Sequence, residues 1–198
     1  MVVMLALSVV LPGRLTGQTA VAVSAGVRYS SVLVRDSIVA PFDVRPTLAP
    51  TVAVTLGTPL ERGWAAQVTL DFSTGELRRH EANGSTVALG RVSTAAFSVG
   101  LNRRLPAGLS ARIGIGGLKY IPSENSGIFR RGSGSIAGLG TLAVGHALTV
   151  SRRYGLSVEA RYDVHGFTTP ALRDEGFTSA RAVHRVALVI RADARSAR

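Results

Sequence analysis

The four histidines are the side chains of this sequence best suited to acid–base chemistry near neutral pH. They lie in four different segments, at His80, His146, His165 and His184. Near His165, the same face of one segment also carries Asp163 and Ser157, so that a base, an acid and a hydroxyl occur together as in a nucleophilic triad. We interpret these three as structural residues that lie in the interior of the folded protein or at the mouth of that interior. No catalytic residue is therefore predicted.

Recognisable metal and cofactor motifs are missing from the sequence. It contains no cysteine, which excludes disulfides, thiolate zinc sites and cysteine nucleophiles. There is no HExxH motif. Gly132 and Gly134 do not belong to the GxxxxGK(S/T) pattern that cradles phosphates. We predict no metal and no cofactor.

Basic residues dominate the charge of the chain, which has 23 basic and 12 acidic side chains and a net charge of +11. Such a surplus raises the question of a nucleic-acid partner. However, the arginines occur as separated pairs, at 78–79, 103–104, 130–131 and 152–153, without interleaved aromatic residues for base stacking. We predict solvated turns and loops at these pairs, and no nucleic acid as a partner.

The elements that must position these side chains show the period of two that is typical of β-strands. The clearest segment is 154–164, where Leu156 and Tyr162 lie on one face and Glu159 lies on the other. Seven further segments repeat the pattern, at residues 21–33, 46–56, 64–72, 94–101, 109–116, 142–150 and 185–191. We expect a β-bulge at Gly116 and Gly117. No window of similar length shows a helical stripe, so the sequence predicts an all-β protein.

The connections between these segments alternate between short and long. Short turns are expected at residues 58–63, 102–108 and 151–153. Long polar loops are expected at residues 36–44, 74–86, 121–134 and 166–180. Strict alternation places every long loop at one end of an up-and-down antiparallel sheet.

Eight such strands close either into a soluble barrel with its apolar face inward or into a membrane barrel with that face outward. We favour the membrane barrel, because the polar face is mostly Gly, Ser, Thr and Ala with a few charges of both signs. Such residues suit the narrow interior of an eight-stranded barrel. Strands of about 9–11 residues also have the length that a tilted strand needs to cross a bilayer. The predicted fold is an all-β, eight-stranded antiparallel up-and-down transmembrane β-barrel.

Two sets of residues follow from this assignment. Buried charges need partners, so we expect a polar network in the interior that consists of Arg28, Gln67, Asp71, Arg112, Glu159, Arg161, Asp163 and Arg185. Aromatic residues near strand ends are expected at the membrane interfaces. These are Trp64, Phe72, Tyr120, Tyr154 and Tyr162.

The first eleven residues carry no charge and are followed by Pro12 and Gly13. This run is too short for a membrane-spanning helix, which needs about 20 residues, but it fits the apolar region of a secretory signal. We predict a signal peptide at residues 1–20 with cleavage between about 17 and 22. A barrel domain at 21–193 and a short tail at 194–198 complete the expected organisation.

Eight up-and-down strands, alternating short turns and long loops, small polar interior residues and a signal segment resemble the small bacterial outer-membrane barrels of the OmpA/OmpX type. The resemblance covers residues 21 to about 193 and implies a location in the bacterial outer membrane. It implies termini in the periplasm, long loops outside the cell, and a barrel closed where Val21 meets Arg191. The implied partners are outer-membrane lipid, including lipopolysaccharide, and the outer-membrane assembly machinery. The expected state is a monomer.

Barrels of this size include lipid A deacylases and acyltransferases, and the deacylase resemblance would need a His and a Ser two residues apart. None of the four histidines has a Ser two residues on. We therefore expect no enzymatic activity, and a role in membrane integrity, in surface-loop contact or as a very narrow pore. Phosphates of lipopolysaccharide are expected to meet the arginines of the long-loop side, namely Arg78, Arg79, Arg130 and Arg131. Two alternatives are a secreted soluble barrel that binds a small apolar ligand and a lipid A-modifying outer-membrane enzyme.

Overall fold

The computed structural model of the chain describes residues 19–36, 41–126, 128–130, 135–150, 154–176 and 179–194. The expected signal peptide and the expected tail lie almost wholly outside these residues. Within them the chain forms one short α-helix, α1 (Pro170–Asp174), two single 3-10 turns (Glu61–Gly63 and Pro106–Gly108) and ten strands. The strands are β1 (Ala20–Ser30), β2 (Val34–Asp36), β3 (Phe42–Pro46), β4 (Ala49–Pro59), β5 (Trp64–Glu81), β6 (Thr86–Arg104), β7 (Leu109–Pro122), β8 (Ile136–Val150), β9 (Tyr154–Phe167) and β10 (Arg181–Ala194).

Eight of the strands form a closed antiparallel ring. Around the ring the order is β1, β4, β5, β6, β7, β8, β9 and β10. The ring closes where β1 pairs with β10; Val21 lies opposite Ala194, not opposite Arg191 as expected, and Arg191 pairs with Ser24. The closed ring confirms the predicted all-β up-and-down barrel. Strands β2 and β3 are an addition that extends the sheet beside the far part of β5.

The ends of the barrel differ in their connections. At the turn end, where β1 begins and β10 ends, two tight turns have the same backbone, with left-handed φ values of 56° at Arg62 and at Ala107. Each is followed by a glycine with positive φ, Gly63 and Gly108, because glycine adopts this conformation without steric cost. We call the opposite end, which carries β2, β3 and α1, the loop end.

The expected loop at residues 74–86 is wrong over most of its length. Strand β5 continues to Glu81 and β6 begins at Thr86, so that only a tight turn separates them. In this turn the Glu81 amide donates to the Ser85 carbonyl at 3.0 Å, and Gly84 has a φ of 84°. Part of the expected loop at 36–44 also belongs to β2 and β3. The strand pattern of β5 is obscured because residues 78–81 carry polar side chains on both faces, whereas β2 and β3 are too short to show a clear period.

Helix α1 lies in the last long loop. The Thr169 hydroxyl caps it by accepting from the Leu172 amide at 3.2 Å, and Pro170 occupies its first turn. Among the described residues, no helix is long and apolar enough to cross a membrane.

The β-bulge expected at Gly116 and Gly117 is wrong, because β6 and β7 pair through this point without a shift in register. The glycine at 116 has a different cause. A Cβ there would lie 1.9 Å from the carbonyl oxygen of Phe97 on β6, so the close approach of the two strands requires glycine. Register shifts instead occur between Glu76 and Arg78 on β5 and between Ala147 and Thr149 on β8.

Large apolar side chains cover the outer wall of the barrel. Exposed examples are Ile136 at 75%, Ile115 at 70% and Leu188 at 56%. Exposure of so many large apolar groups to water is unfavourable, whereas lipid accommodates them. A soluble ligand-binding barrel needs the opposite arrangement, with residues such as Leu188 inside, so that alternative is wrong.

Candidate functional site

The barrel interior is the candidate site, because alternate residues of each strand point into it. All eight polar residues expected there are buried or almost buried in the structure. The strand period accounts for this placement, since their sequence neighbours face outward. Which of these residues contact one another depends on side-chain reach across the ring.

Asp71 on β5 and Arg28 on β1 form the centre of one cluster. The two side chains form a bidentate ion pair, in which Arg28 Nη2 donates to Asp71 Oδ2 at 2.9 Å. Asp163 on β9 lies 3.5 Å from Arg28, and Arg161 lies 3.4 Å from Asp71. The hydroxyl of Thr51 also donates to Asp71 at 3.3 Å. Strands β1, β5 and β9 therefore contribute charges of opposite signs to a compact cluster, and β4 contributes a hydroxyl.

Glu159 on β9 is the centre of a second cluster, nearer to the turn end. Arg112 Nη2 donates to Glu159 Oε1 at 2.9 Å, and Arg161 donates to the same carboxylate. Since Arg161 also contacts Asp71, it joins the two clusters into one network. Arg191 approaches Glu159 at 3.8 Å and pairs with Asp193 at 2.9 Å. The last two residues were not among those expected in the interior, although both lie on the inward face of β10.

Arg185 and Gln67 stand apart from these ion pairs. Arg185 on β10 reaches across the interior, where its Nη2 donates to Thr94 at 3.0 Å and to Ser73 at 3.4 Å. Gln67 points inward, but within the described part of the chain its Oε1 has no hydrogen-bond partner. The ion pairs of the structure thus include six of the eight expected residues, together with Arg191 and Asp193, and Arg185 joins them through the Ser73 hydroxyl, to which Arg28 also donates at 3.5 Å.

An apolar cluster, which we call the plug, fills the interior towards the loop end. Its aromatic centre is formed by Tyr120, Phe129 and Phe167, whose ring centroids lie 5.2–5.7 Å apart. Around it pack residues of the wall and of the loop end, including Leu33, Val44, Leu77, Val92, Leu118, Ile128, Leu139, Leu172 and Val183. The plug closes the interior above the charges.

The expectation that Tyr120 lies at the membrane interface is wrong. Only 2% of its surface is exposed, because β7 keeps its register through Gly116 and Gly117 and Tyr120 therefore stays on the inward face. Its hydroxyl lies 3.1 Å from His165 Nε2, and His165 Nδ1 lies 3.2 Å from the Gly166 carbonyl. Donation from Nδ1 to the carbonyl leaves Nε2 as the acceptor for the tyrosine.

The remaining expected interface aromatics lie on the outer wall. Trp64 and Tyr154 are at the turn end, and the guanidinium of Arg103 lies 5.3 Å from the Trp64 ring. Phe72 and Tyr162 lie nearer the loop end and are partly exposed. The hydroxyl of Tyr162 hydrogen-bonds to His184 Nδ1 at 2.6 Å.

Three of the four arginines expected to meet lipid phosphates have acidic neighbours. Arg78 donates to Glu76 at 2.6 Å. Arg79 lies 3.3 Å from Glu81 and 4.2 Å from the centre of the Phe42 ring. Arg130 pairs with Asp174 at 2.9 Å. Arg131 lies outside the described residues.

The triad suggested by Ser157, Asp163 and His165 does not form. Ser157 and His165 are eight residues apart on one extended strand, which separates them by roughly 26 Å. Both nitrogens of His165 are also engaged within the structure. These three residues therefore cannot act as a nucleophile with its base.

Comparison with known proteins supports the fold. No protein-family model matches the sequence, and no curated protein does. Among similar solved structures, Neisserial surface protein A has a TM-score of 0.54 at 11% identity, with 90% of this chain and 97% of that chain covered. Outer membrane protein OprG from Pseudomonas aeruginosa has a TM-score of 0.52 at 8% identity, with 92% and 98% covered. The chain has the fold of these outer-membrane β-barrels, and its apolar outer wall fits a lipid bilayer.

Proposed function

We propose that this outer-membrane barrel has no catalytic activity and acts through its extracellular surface rather than as a pore. The observation that carries the proposal is the contrast between its two regions. The interior is closed by charges and by the plug, whereas the loop end extends into a sheet with free edges. Membrane integrity follows from the presence of such a barrel, but surface contact is the role that the extension supports.

The interior argues against conduction of ions or solutes. Arg185 crosses it from β10 to β5 and β6, and the arginines and carboxylates of the network fill the part below. Above them, the plug presents aromatic and aliphatic groups. An ion would have to break buried ion pairs and then cross an apolar layer, and each step is unfavourable.

The extension at the loop end consists of β2, β3 and the far parts of β5 and β6. Phe72 is the last exposed aromatic residue on β5, and the strand continues for nine residues to Glu81, a distance of about 30 Å. Beyond Phe72, the outward side chains include Glu76 and Arg78, which suit water rather than lipid. The extension therefore projects from the membrane.

Both edges of this extension are open along the described residues. Among the described residues, strand β2 pairs only with β3, and residues 86–88 of β6 pair only with β5. Unpaired backbone amides and carbonyls at a sheet edge can bind a further strand of another chain. Val87, which is 47% exposed on the β6 edge, adds an apolar contact. We propose an extended segment of another protein as the partner.

Contact with lipopolysaccharide is a secondary part of the proposal. Arg78, Arg79 and Arg130 lie on the loop end, where lipid phosphates would be. Because each has a carboxylate within 3.3 Å, we expect each to contribute less to phosphate binding than an unpaired arginine would. A monomeric state and recognition by the assembly machinery remain predictions.

The experiment compares the wild type with a variant whose hairpin is trimmed. Residues 79–87 are replaced by Asn-Gly, which favours a two-residue hairpin, and the barrel wall stays intact. Cells that display each protein at equal amounts are tested for binding to host-cell and bacterial surfaces. We expect binding by the wild type and loss of binding by the variant. Equal binding by both would contradict the proposed role of the extension.

Two further measurements test the other parts of the proposal. In planar lipid bilayers, we expect the purified barrel to show no conductance steps above those of the empty bilayer. Regular steps would support the narrow pore instead. A changed mass of lipid A in cells that express the wild type would contradict the absence of enzymatic activity.

A further inference from the structure

We propose that the barrel interior binds one small monovalent anion, such as chloride, beside the guanidinium of Arg185. The proposal concerns the inside of the barrel and is independent of the extracellular role proposed above. Three observations carry it: the charge balance of the interior, the hydrogen bonds of Arg185, and the positions of the carboxylates that could have neutralised it.

The first observation is a surplus of positive charge. Among the described residues, the fully inward charges are four arginines and three carboxylates, namely Arg28, Arg112, Arg161, Arg185, Asp71, Glu159 and Asp163. Arg191 and Asp193 at the turn end neutralise each other. One positive charge is therefore in excess, inside a wall that is surrounded by lipid.

The second observation assigns this surplus to Arg185. Arg28, Arg112 and Arg161 each have a carboxylate within ion-pair distance. Within the part of the chain that the structure describes, Arg185 has none, although only 1% of its surface is exposed. Its Nη2 donates to the neutral hydroxyls of Thr94 and Ser73, at 3.0 Å and 3.4 Å.

The Nη1 group of Arg185 is left without an acceptor among the described residues. A water molecule could satisfy a donor, but it would leave the charge uncompensated. Arg28 also donates to Ser73, at 3.5 Å, so a second guanidinium lies beside the first. Two cations that share one hydroxyl increase the attraction for an anion at this point.

The third observation is that neighbouring carboxylates are already engaged. Asp163 lies opposite Arg185 in the β9–β10 register, but its carboxylate lies 3.5 Å from Arg28. Asp71 forms the bidentate pair with Arg28 and also contacts Arg161. Either carboxylate could move to Arg185 only by leaving another buried arginine with less compensation.

The same charge balance defines the ligand. A monovalent anion brings the described interior to neutrality, whereas a divalent phosphate would leave it negative. On the loop side, the next inward residues are Val183 of the plug and His165, so there is no second basic group for a larger anion. Chloride, which is spherical and accepts hydrogen bonds from any direction, is the simplest match.

The test uses the folded full-length barrel in detergent and measures the thermal midpoint at which its compact band is lost on SDS gels. Sodium chloride is compared with sodium gluconate at equal concentration, because gluconate is too large for the interior. We expect the wild-type midpoint to rise by about 3–5 °C for each tenfold increase in chloride above the dissociation constant. Gluconate should have no such effect.

Arg185→Met removes the surplus charge and should abolish the dependence on chloride. Arg112→Lys is the control, because it keeps a positive charge beside Glu159 and leaves the surplus at Arg185 unchanged; its dependence on chloride should remain. A chloride effect that persists in Arg185→Met would overturn the proposed location. Equal wild-type midpoints in the two salts would overturn the proposal itself.

A second measurement keeps the proposal testable if a variant does not fold. Wild-type crystals grown with sodium bromide in place of chloride should show an anomalous difference peak within hydrogen-bond distance of Arg185 Nη1. Absence of this peak in bromide would overturn the proposal, whatever the behaviour of the variants.

Discussion

Replacement of Glu159 by alanine should destabilise the barrel far more than replacement of Glu76. Glu159 is buried and accepts from Arg112 at 2.9 Å and from Arg161, with Arg191 at 3.8 Å. Glu159→Ala removes the described carboxylate partner of Arg112 and one of the two partners of Arg161. Breaking a buried pair in this way costs about 3–5 kcal/mol.

Glu76 provides the control, because it also pairs with an arginine but at the surface. Its ion pair with Arg78 at 2.6 Å has both side chains well exposed, and such pairs contribute about 0–1 kcal/mol. The two variants therefore remove the same carboxylate and differ mainly in burial.

The assay is unfolding by urea in detergent micelles, followed by the emission of Trp64, the single tryptophan of the chain. It lies on the outer wall at the turn end, so its surroundings change from detergent to water on unfolding. With a slope of about 2 kcal/mol per molar urea, Glu159→Ala should lower the midpoint by about 2 M and Glu76→Ala by less than about 0.5 M. Equal midpoints would refute the assignment of Glu159 to a buried network. The double variant of Glu159→Ala with Arg112→Met should recover part of the loss, because it removes both charges of one pair.

Two further predictions use the same assay. Gly116→Ala should destabilise the barrel by about 1–3 kcal/mol, because its Cβ would clash with a carbonyl of β6. Gly138→Ala is the control and should be neutral or stabilising, because a Cβ there meets nothing within 4 Å. Equal effects of the two substitutions would contradict the close approach of β6 and β7. Tyr120→Phe should cost about 1–3 kcal/mol because it leaves the acceptor of His165 unsatisfied, and Tyr120→Ala about 3–5 kcal/mol because it opens a cavity in the plug. A neutral Tyr120→Ala would show that the side chain points towards lipid.

The wall of the barrel could be predicted from the sequence because lipid imposes a strict rule on it. Outward residues such as Leu188 must be apolar, so every second residue reveals the outer face and the intervening residues are assigned to the interior. This rule places Arg28 and Glu159 correctly. Tyr120 was assigned to the interface from its position near a strand end rather than from this rule, and the unshifted register of β7 keeps it on the inward face.

The loop end could not be predicted in the same way because no lipid covers its outer face. Once β5 and β6 leave the membrane, their outward residues no longer have to be apolar, and the period of two weakens although the ladder of hydrogen bonds continues to Glu81. Strands β2 and β3 are too short for a period of two to be visible in the sequence. The plug was not predicted because Phe129 lies in the connection between β7 and β8, outside any strand. Its inward direction is set by tertiary packing and not by a strand period.

The partners inside the barrel depend on a different property, the reach of long side chains across the ring. Register places Arg185 opposite Asp163, and a sequence-based assignment would pair them. In the structure, Arg28 reaches Asp163 from the next strand, and Arg185 extends instead to Thr94 on the far wall. Whether a charge points inward thus follows from the alternation of side chains along its strand. Its neutralisation depends instead on which guanidinium lies within ion-pair distance of each carboxylate. That is why the uncompensated charge of Arg185 can be located only with the side chains in place.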